Sequence, residues 1–266
     1  MRTPLIAAAL LFLTPFPHAR AQSAPAPAQA PSGNATLTVA AASDLQPVLP
    51  QILPAFERLS GIRVTVSFGS TTSLATQILN GAPFDLFLAA DSAAPQRIAA
   101  ANLADAAPLP YAFGTLVLWQ PNAQAFCHPL TLDCLRSPAL ARLAVANPAT
   151  APYGRAAAQT IQSLGLTNQL APHLVTAENI AQAAQFADSG NAQLALISLT
   201  LAHSPTLAAR GSYILIPRDN YSPLIQSAIV LRNSSHRTAA HQFLDYLLSP
   251  AIQSQFHALG LEPAAH

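Results

Sequence analysis

The stretch Ala40-Ala41-Ala42-Ser43-Asp44-Leu45 decides how the rest of this sequence is read, because an apolar run stops at Ser43 and a helical pattern begins behind it. Residues 35–42 carry no charge and include Thr36, Thr38 and Val39, the composition of a short buried strand. Leu45, Val48, Leu49, Ile52, Phe56 and Leu59 then recur at three- and four-residue spacing, which predicts a helix with one buried face. Ser43 falls at the N-cap of that helix. A helix start leaves N–H groups without intrahelical acceptors and carries partial positive charge, so a hydroxyl there either caps its own helix or helps to hold an anion. Pro50 and Pro54 each remove a backbone donor, so a kink or an early end of the helix is expected.

The arrangement recurs. Gly61 ends the first helical pattern, and residues 63–68 (RVTVSF) alternate as a strand. Gly69-Ser70-Thr71-Thr72-Ser73 follows, a loop of small and hydroxyl residues ahead of a helix through Leu74, Ala75, Ile78 and Leu79. Such a loop either caps its helix or lets N–H groups and hydroxyls converge on one small ligand. Gly81 and Pro83 mark a turn, residues 84–90 a third buried strand, and Asp91 the start of another helix. Strand–helix–strand–helix–strand over such a distance is the rhythm of a parallel sheet covered by helices. Ligands of such sheets bind beyond the carboxyl ends of the strands, where Ser43 and Thr71 both stand.

Farther along, residues 113–119 (FGTLVLW) read as a strand crossing into a second lobe after the proline-rich connection at Pro108 and Pro110. Pro152, Tyr153 and Gly154 open an Ala-rich helix that stops at Gly165, so Tyr153 stands at another helix start, as a phenolic donor or as part of a plain surface turn. A helix runs from Ile180 through Phe186, and residues 191–198 return as a buried strand. The strand at residues 227–231 leads back to the first lobe, and residues 239–248 and 251–259 form closing helices.

Residues 1–21 have a positive start at Arg2, a short apolar core and Ala19-Arg20-Ala21 before the cut, as in a secretory signal peptide. Residues 22–34 (QSAPAPAQAPSGN) read as a disordered Ala/Pro-rich leader. The remaining chain is assigned to two lobes, residues 35–114 with 226–266, and residues 115–225. Charged residues make up 9% of the sequence, and all 12 basic residues are Arg. Without Arg2 and Arg20 the balance is 10 basic against 11 acidic groups, near −1. That leaves no basic footprint for nucleic acid. After the leader there is no apolar run long enough to span a bilayer. Cys127 and Cys134 form a local disulfide or remain thiols; with His128 they lack a fourth metal ligand.

Taken in order, AAASDL, FGSTTSLATQILNGAPFDLFLAAD, NPATAPYGRAAAQTIQSLG and the closing FLDYLLSP (residues 243–250) resemble the periplasmic molybdate-binding proteins of ABC importers, over residues 36–262. The resemblance implies an α/β, two-lobed periplasmic-binding-protein-like fold of type II, each lobe a mixed or parallel sheet flanked by helices. It implies an exported, periplasmic monomer that captures molybdate and tungstate without a cofactor or a direct protein–metal ligand, and delivers the anion to a membrane permease. Sulfate or another tetrahedral oxyanion is the alternative cargo. Carried over by motif, Ser43 supplies a hydroxyl and N–H, Asp44 an N–H only, and Thr71 a hydroxyl and N–H; because a carboxylate in the pocket would repel the anion, that of Asp44 is expected to turn away. Tyr153 and the N–H of Ile180 come from the other lobe. Ser198, where some family members place a tyrosine, and Arg155 are further candidates. An enzyme is disfavoured because no G-x-S-x-G elbow is present and the histidines include His18 and His266, and a DNA-binding regulator because a signal peptide stands where a helix-turn-helix would be needed.

Overall fold

The computed structural model describes residues 36–264. The expected signal peptide and leader lie outside these described residues. Two mixed sheets, each flanked by helices, form two lobes of an α/β architecture.

The chain enters the first lobe through β1 (Thr36–Ala42), α1 (Leu49–Ser60), β2 (Arg63–Gly69), α2 (Thr71–Leu79), β3 (Leu86–Ala89), α3 (Ala93–Ala100) and β4 (Leu109–Gly114). It then builds the second lobe from β5 (Leu116–Pro121), β6 (Leu143–Ala146), α4 (Pro152–Ser163), α5 (Thr167–Leu170), β7 (Leu174–Ala177), α6 (Ile180–Asp188), β8 (Leu194–Ser198), α7 (Leu199–Ala202), α8 (Pro205–Arg210) and β9 (Gly211–Leu215). It returns through β10 (Leu224–Val230), α9 (Arg237–Leu248), α10 (Pro250–Gln253) and β11 (Glu262–Pro263). The first sheet has the order β11-β4-β10-β3-β1-β2 and the second β7-β6-β8-β5-β9.

Register places the site. β1 runs parallel to β2 and β3, pairing Ala42 with Gly69 and Ala41 with Leu88, so all three strands end at one edge of the sheet. β6 is parallel to β7, pairing Ala146 with Ala177, so α4 and α6 both start beyond one edge of the second sheet. Side chains alternate as a pleat demands: Leu37, Val39 and Ala41 join Phe56 and Phe243 on one face, while Ala40 joins Leu74, Ile78 and Ile98 on the other. Having helices on both faces explains why β1 and β3 read as continuous apolar runs.

Several elements differ from the sequence expectation. The predicted strand at residues 113–119 is divided at Thr115, with β4 in one sheet and β5 in the other. The first helix does not begin at Ser43; a 3-10 turn, Ser43–Leu45, comes first, with Ala42 as its N-cap and no side-chain cap bond. Pro50 sits in the first turn of α1, where a missing N–H costs nothing, and the helix continues past Pro54 to Gly61 at φ 72°. The hydroxyl loop is shorter than expected, since α2 starts at Thr71 with Ser70 as N-cap. The last predicted helix is reduced to α10, followed by turns. Cys127 and Cys134 are joined as a disulfide. Among the described residues no helix is long and apolar enough to cross a membrane.

Candidate functional site

Ser43, Asp44, Thr71, Tyr153 and Ile180 line one small pocket between the lobes, together with Gly69, Ser70 and Ala90. Each reaches it because a strand ends and a helical turn begins: β1 before Ser43, β2 before Thr71, β6 before α4, β7 before α6. Among the described residues, the N–H groups of Thr71, Tyr153 and Ile180 have no acceptor in the protein, as the first turn of a helix dictates. Asn179 caps α6 by accepting the N–H of Gln182 at 3.1 Å, which leaves the Ile180 N–H free.

The two hydroxyls differ in their commitments. Thr71 is 1% exposed, and its Oγ1 accepts the N–H of Ala90 at 3.1 Å, so its own proton remains to be donated. Ser43 is 3% exposed and its Oγ caps nothing. Ser70 is engaged instead with Ser73, donating to its Oγ at 2.8 Å.

Asp44 is wholly buried, and its carboxylate is turned onto a cross-lobe network. Its Oδ2 accepts from Gln226 Nε2 at 2.5 Å and from the Tyr153 hydroxyl at 3.2 Å. Tyr111 donates to Gln226 Oε1 at 2.8 Å, which fixes the amide so that its NH2 faces Asp44. The Asp44 carbonyl accepts the Thr200 hydroxyl at 2.7 Å. Burial raises the Asp44 pKa from 3.8 to about 6, with the bonds from Gln226 and Tyr153 acting in the opposite direction. Burial, together with the Asp44 charge, pushes the Tyr111 and Tyr153 phenols well above 10.

The Tyr153 phenol is therefore spent on Asp44, and what Tyr153 presents to the pocket is its N–H. Only glycine fits at the hinge beneath it: a Cβ on Gly114 would lie 2.3 Å from the Tyr153 hydroxyl oxygen. Two further candidates fall outside the pocket lining. Ser198 caps α7, accepting the Leu201 N–H at 3.4 Å, and bonds Thr200 at 2.8 Å. Arg155 forms an ion pair with Asp91, tying α4 to the segment after β3. Being 41% exposed and already partnered, its charge is screened and directed at the rim.

Sequence reasoning missed Gln226, Tyr111 and Thr200, which carry no motif and meet Asp44 only in the folded chain. A second cross-lobe contact was equally invisible: the Thr72 N–H donates to the Thr150 carbonyl at 3.0 Å. Among the described residues no three His, Cys, Asp or Glu side chains converge as a metal cluster. The pocket thus offers neutral donors from both lobes and no basic side chain in its lining. This arrangement suits a small, fully deprotonated oxyanion, because prealigned N–H and O–H groups bind it without a counter-charge.

Known proteins agree with this architecture. The sequence is 36% identical over 231 residues to a molybdate-binding protein, ModA, of Azotobacter vinelandii, covering 85% of this chain and 89% of that protein. It is 34% identical over 216 residues to the molybdate-binding protein ModA of Rhodobacter capsulatus, covering 79% and 82%. The fold matches the solved structure of the Azotobacter vinelandii periplasmic molybdate-binding protein with a TM-score of 0.79 and 28% identity, covering 86% of this chain and 100% of that one. With a match to the family model over residues 37–262 as well, the chain belongs to the bacterial extracellular solute-binding proteins.

Proposed function

We propose that this protein captures molybdate, and tungstate as its near-isosteric analogue, between its two lobes and delivers the anion to the permease of an ABC importer. The observation that carries the reading is the convergence of helix starts from both sheets on one buried pocket lined by neutral donors. Ser43 and Thr71 donate hydroxyl and N–H groups, Asp44, Tyr153 and Ile180 donate N–H groups, and the anion's oxygens accept them. Charge-assisted hydrogen bonds of this kind contribute about 1.5–3 kcal/mol each. The relatives named for molybdate binding support this cargo over sulfate.

Closure and recognition are one event in this scheme. Only the closed cleft brings Tyr153 and Ile180 to the donors of the first lobe, so a bound anion favours the closed form by its extra contacts there. The permease then reads that form. The protein acts as an exported periplasmic monomer after loss of residues 1–21, and the anion is cargo, with no resident cofactor.

Thermal unfolding in molybdate, tungstate, sulfate and phosphate at matched ionic strength tests the cargo. A ligand at a thousand times its dissociation constant stabilises by about 4 kcal/mol, a shift of several degrees. Shifts with molybdate and tungstate alone are expected. A shift with sulfate instead reassigns the cargo within the same mechanism, and no shift with any of the four refutes the reading.

A further inference from the structure

Among the described residues, Asp44 is the only acid lining the pocket, and its two ends act in opposite senses. Its N–H belongs to the donor set, whereas its carboxylate would repel the anion those donors hold. That carboxylate is wholly buried, takes its two side-chain hydrogen bonds on Oδ2 alone, and leaves Oδ1 with no partner among the described residues.

Nor does any described cation face it. Around Asp44 stand Tyr153 on α4, Gln226 on β10, Tyr111 on β4 and Thr200 on α7, and of these only the two phenols titrate, far above neutrality. Arg155 on α4 is held by Asp91. Asp188 on α6 is paired with Arg210 at 3.1 Å, and His203, after α7, is bonded to the Tyr213 hydroxyl at 2.8 Å. The end of β2 contributes Gly69 and Ser70, both uncharged.

Resting on the oxyanion reading above, we propose that Asp44 is a positioning residue acting through Tyr153, and that its carboxyl group is protonated when a dianion fills the pocket, so that capture takes up one proton. A dianion and an uncompensated carboxylate in one water-poor cleft repel each other, which favours the neutral acid. The proton comes from a buffer acid and forms an O–H bond at Oδ1, the oxygen that has no donor. Oδ2 goes on accepting the Tyr153 hydroxyl, so the ring and the Tyr153 N–H stay aimed. The pocket therefore gains two negative charges and one positive charge on capture.

The pH dependence has a fixed sign. Burial, net of the hydrogen bonds that oppose it, already places Asp44 at about 6 before the anion arrives, and the anion raises it further. Above that point affinity falls as pH rises, by up to tenfold per pH unit, until the bound form also ionises.

The experiment is calorimetric titration of the protein with sodium molybdate between pH 6 and 8, in pairs of buffers with different ionisation enthalpies. The expected result is uptake of up to one proton near pH 7, with a dissociation constant that weakens about three- to tenfold per pH unit. Asp44→Asn should bind without proton uptake and with a flat pH profile. Molybdate binding by the wild type with no proton uptake and a flat profile overturns this inference and leaves the oxyanion reading intact. The inference also fails if Asp44→Asn keeps the wild-type slope. Absence of binding by the wild type overturns both, and the wild-type titration decides the question even if the variant does not fold.

Discussion

Ser43 and Thr71 offer the same chemical group to the pocket, yet their removal should have separable effects. Ser43 Oγ caps nothing, so Ser43→Ala removes one donor to the anion and little else. Losing a charge-assisted bond of about 1.5–3 kcal/mol weakens binding by roughly 10- to 150-fold. Stability without ligand should stay within about 0.5 kcal/mol of the wild type. Thr71→Val removes a comparable donor but also strips the Ala90 N–H of its 3.1 Å acceptor inside the fold. An orphaned buried donor costs about 1–3 kcal/mol, so this variant should lose affinity on the same scale and also melt roughly 2–12 °C lower. Thr71→Ser should restore both. Calorimetric titration with molybdate gives the affinities, and thermal unfolding without ligand gives the stabilities. Unchanged affinity in Ser43→Ala, or a Thr71→Val protein that melts lower but binds normally, would refute the donor assignment.

Three other outcomes follow from the coordinates. A Cβ on Gly154 would lie 2.4 Å from the Ala146 carbonyl oxygen, a backbone atom that cannot step aside, so Gly154→Ala should destabilise by at least about 1–3 kcal/mol and weaken binding, read by melting and titration. The Arg155–Asp91 pair spans the cleft rim with side chains 41% and 15% exposed, so a double-mutant cycle with Arg155→Gln and Asp91→Asn should give a coupling in molybdate affinity of at most about 1 kcal/mol; a coupling several times larger would show that the rim charge acts on the anion itself. The raised Asp44 pKa predicts a stability contribution that is full below pH 3.8 and is lost as pH rises to about 6, on the order of 3 kcal/mol, so Asp44→Asn should melt higher than the wild type at pH 7.5 and lose that advantage at pH 4.

Much of the fold was legible because each strand–helix junction carries its own signal. The run before Ser43, the alternation at residues 63–68 and the Gly165 stop each reflect local physics, and the structure places β1, β2 and α4 there. Short strands such as β7 and β9 escaped because a few residues show no period, and the division at Thr115 escaped because an apolar run does not reveal which sheet it joins. Of the site, five pocket residues were named from helix starts and motif resemblance, and the structure brings them together. What the sequence hid was long-range: Gln226 lies 182 residues from Asp44, and Thr200 lies 156 away. The hydroxyl of Tyr153 looked like a ligand donor because a phenol's partner is settled by packing, which a motif does not encode.

Where a pocket position offers only its main-chain N–H, side-chain mutagenesis is blind to the donor. Alanine replacement at Ile180 leaves its amide in place, so a conventional scan would score the position as silent while the donor goes on working. The same feature gives the lineage latitude to drift. At those N–H-only positions residue identity can change wherever the backbone path is kept, and what selection must guard beside the two hydroxyls is the set of small residues and prolines that let the chain turn there.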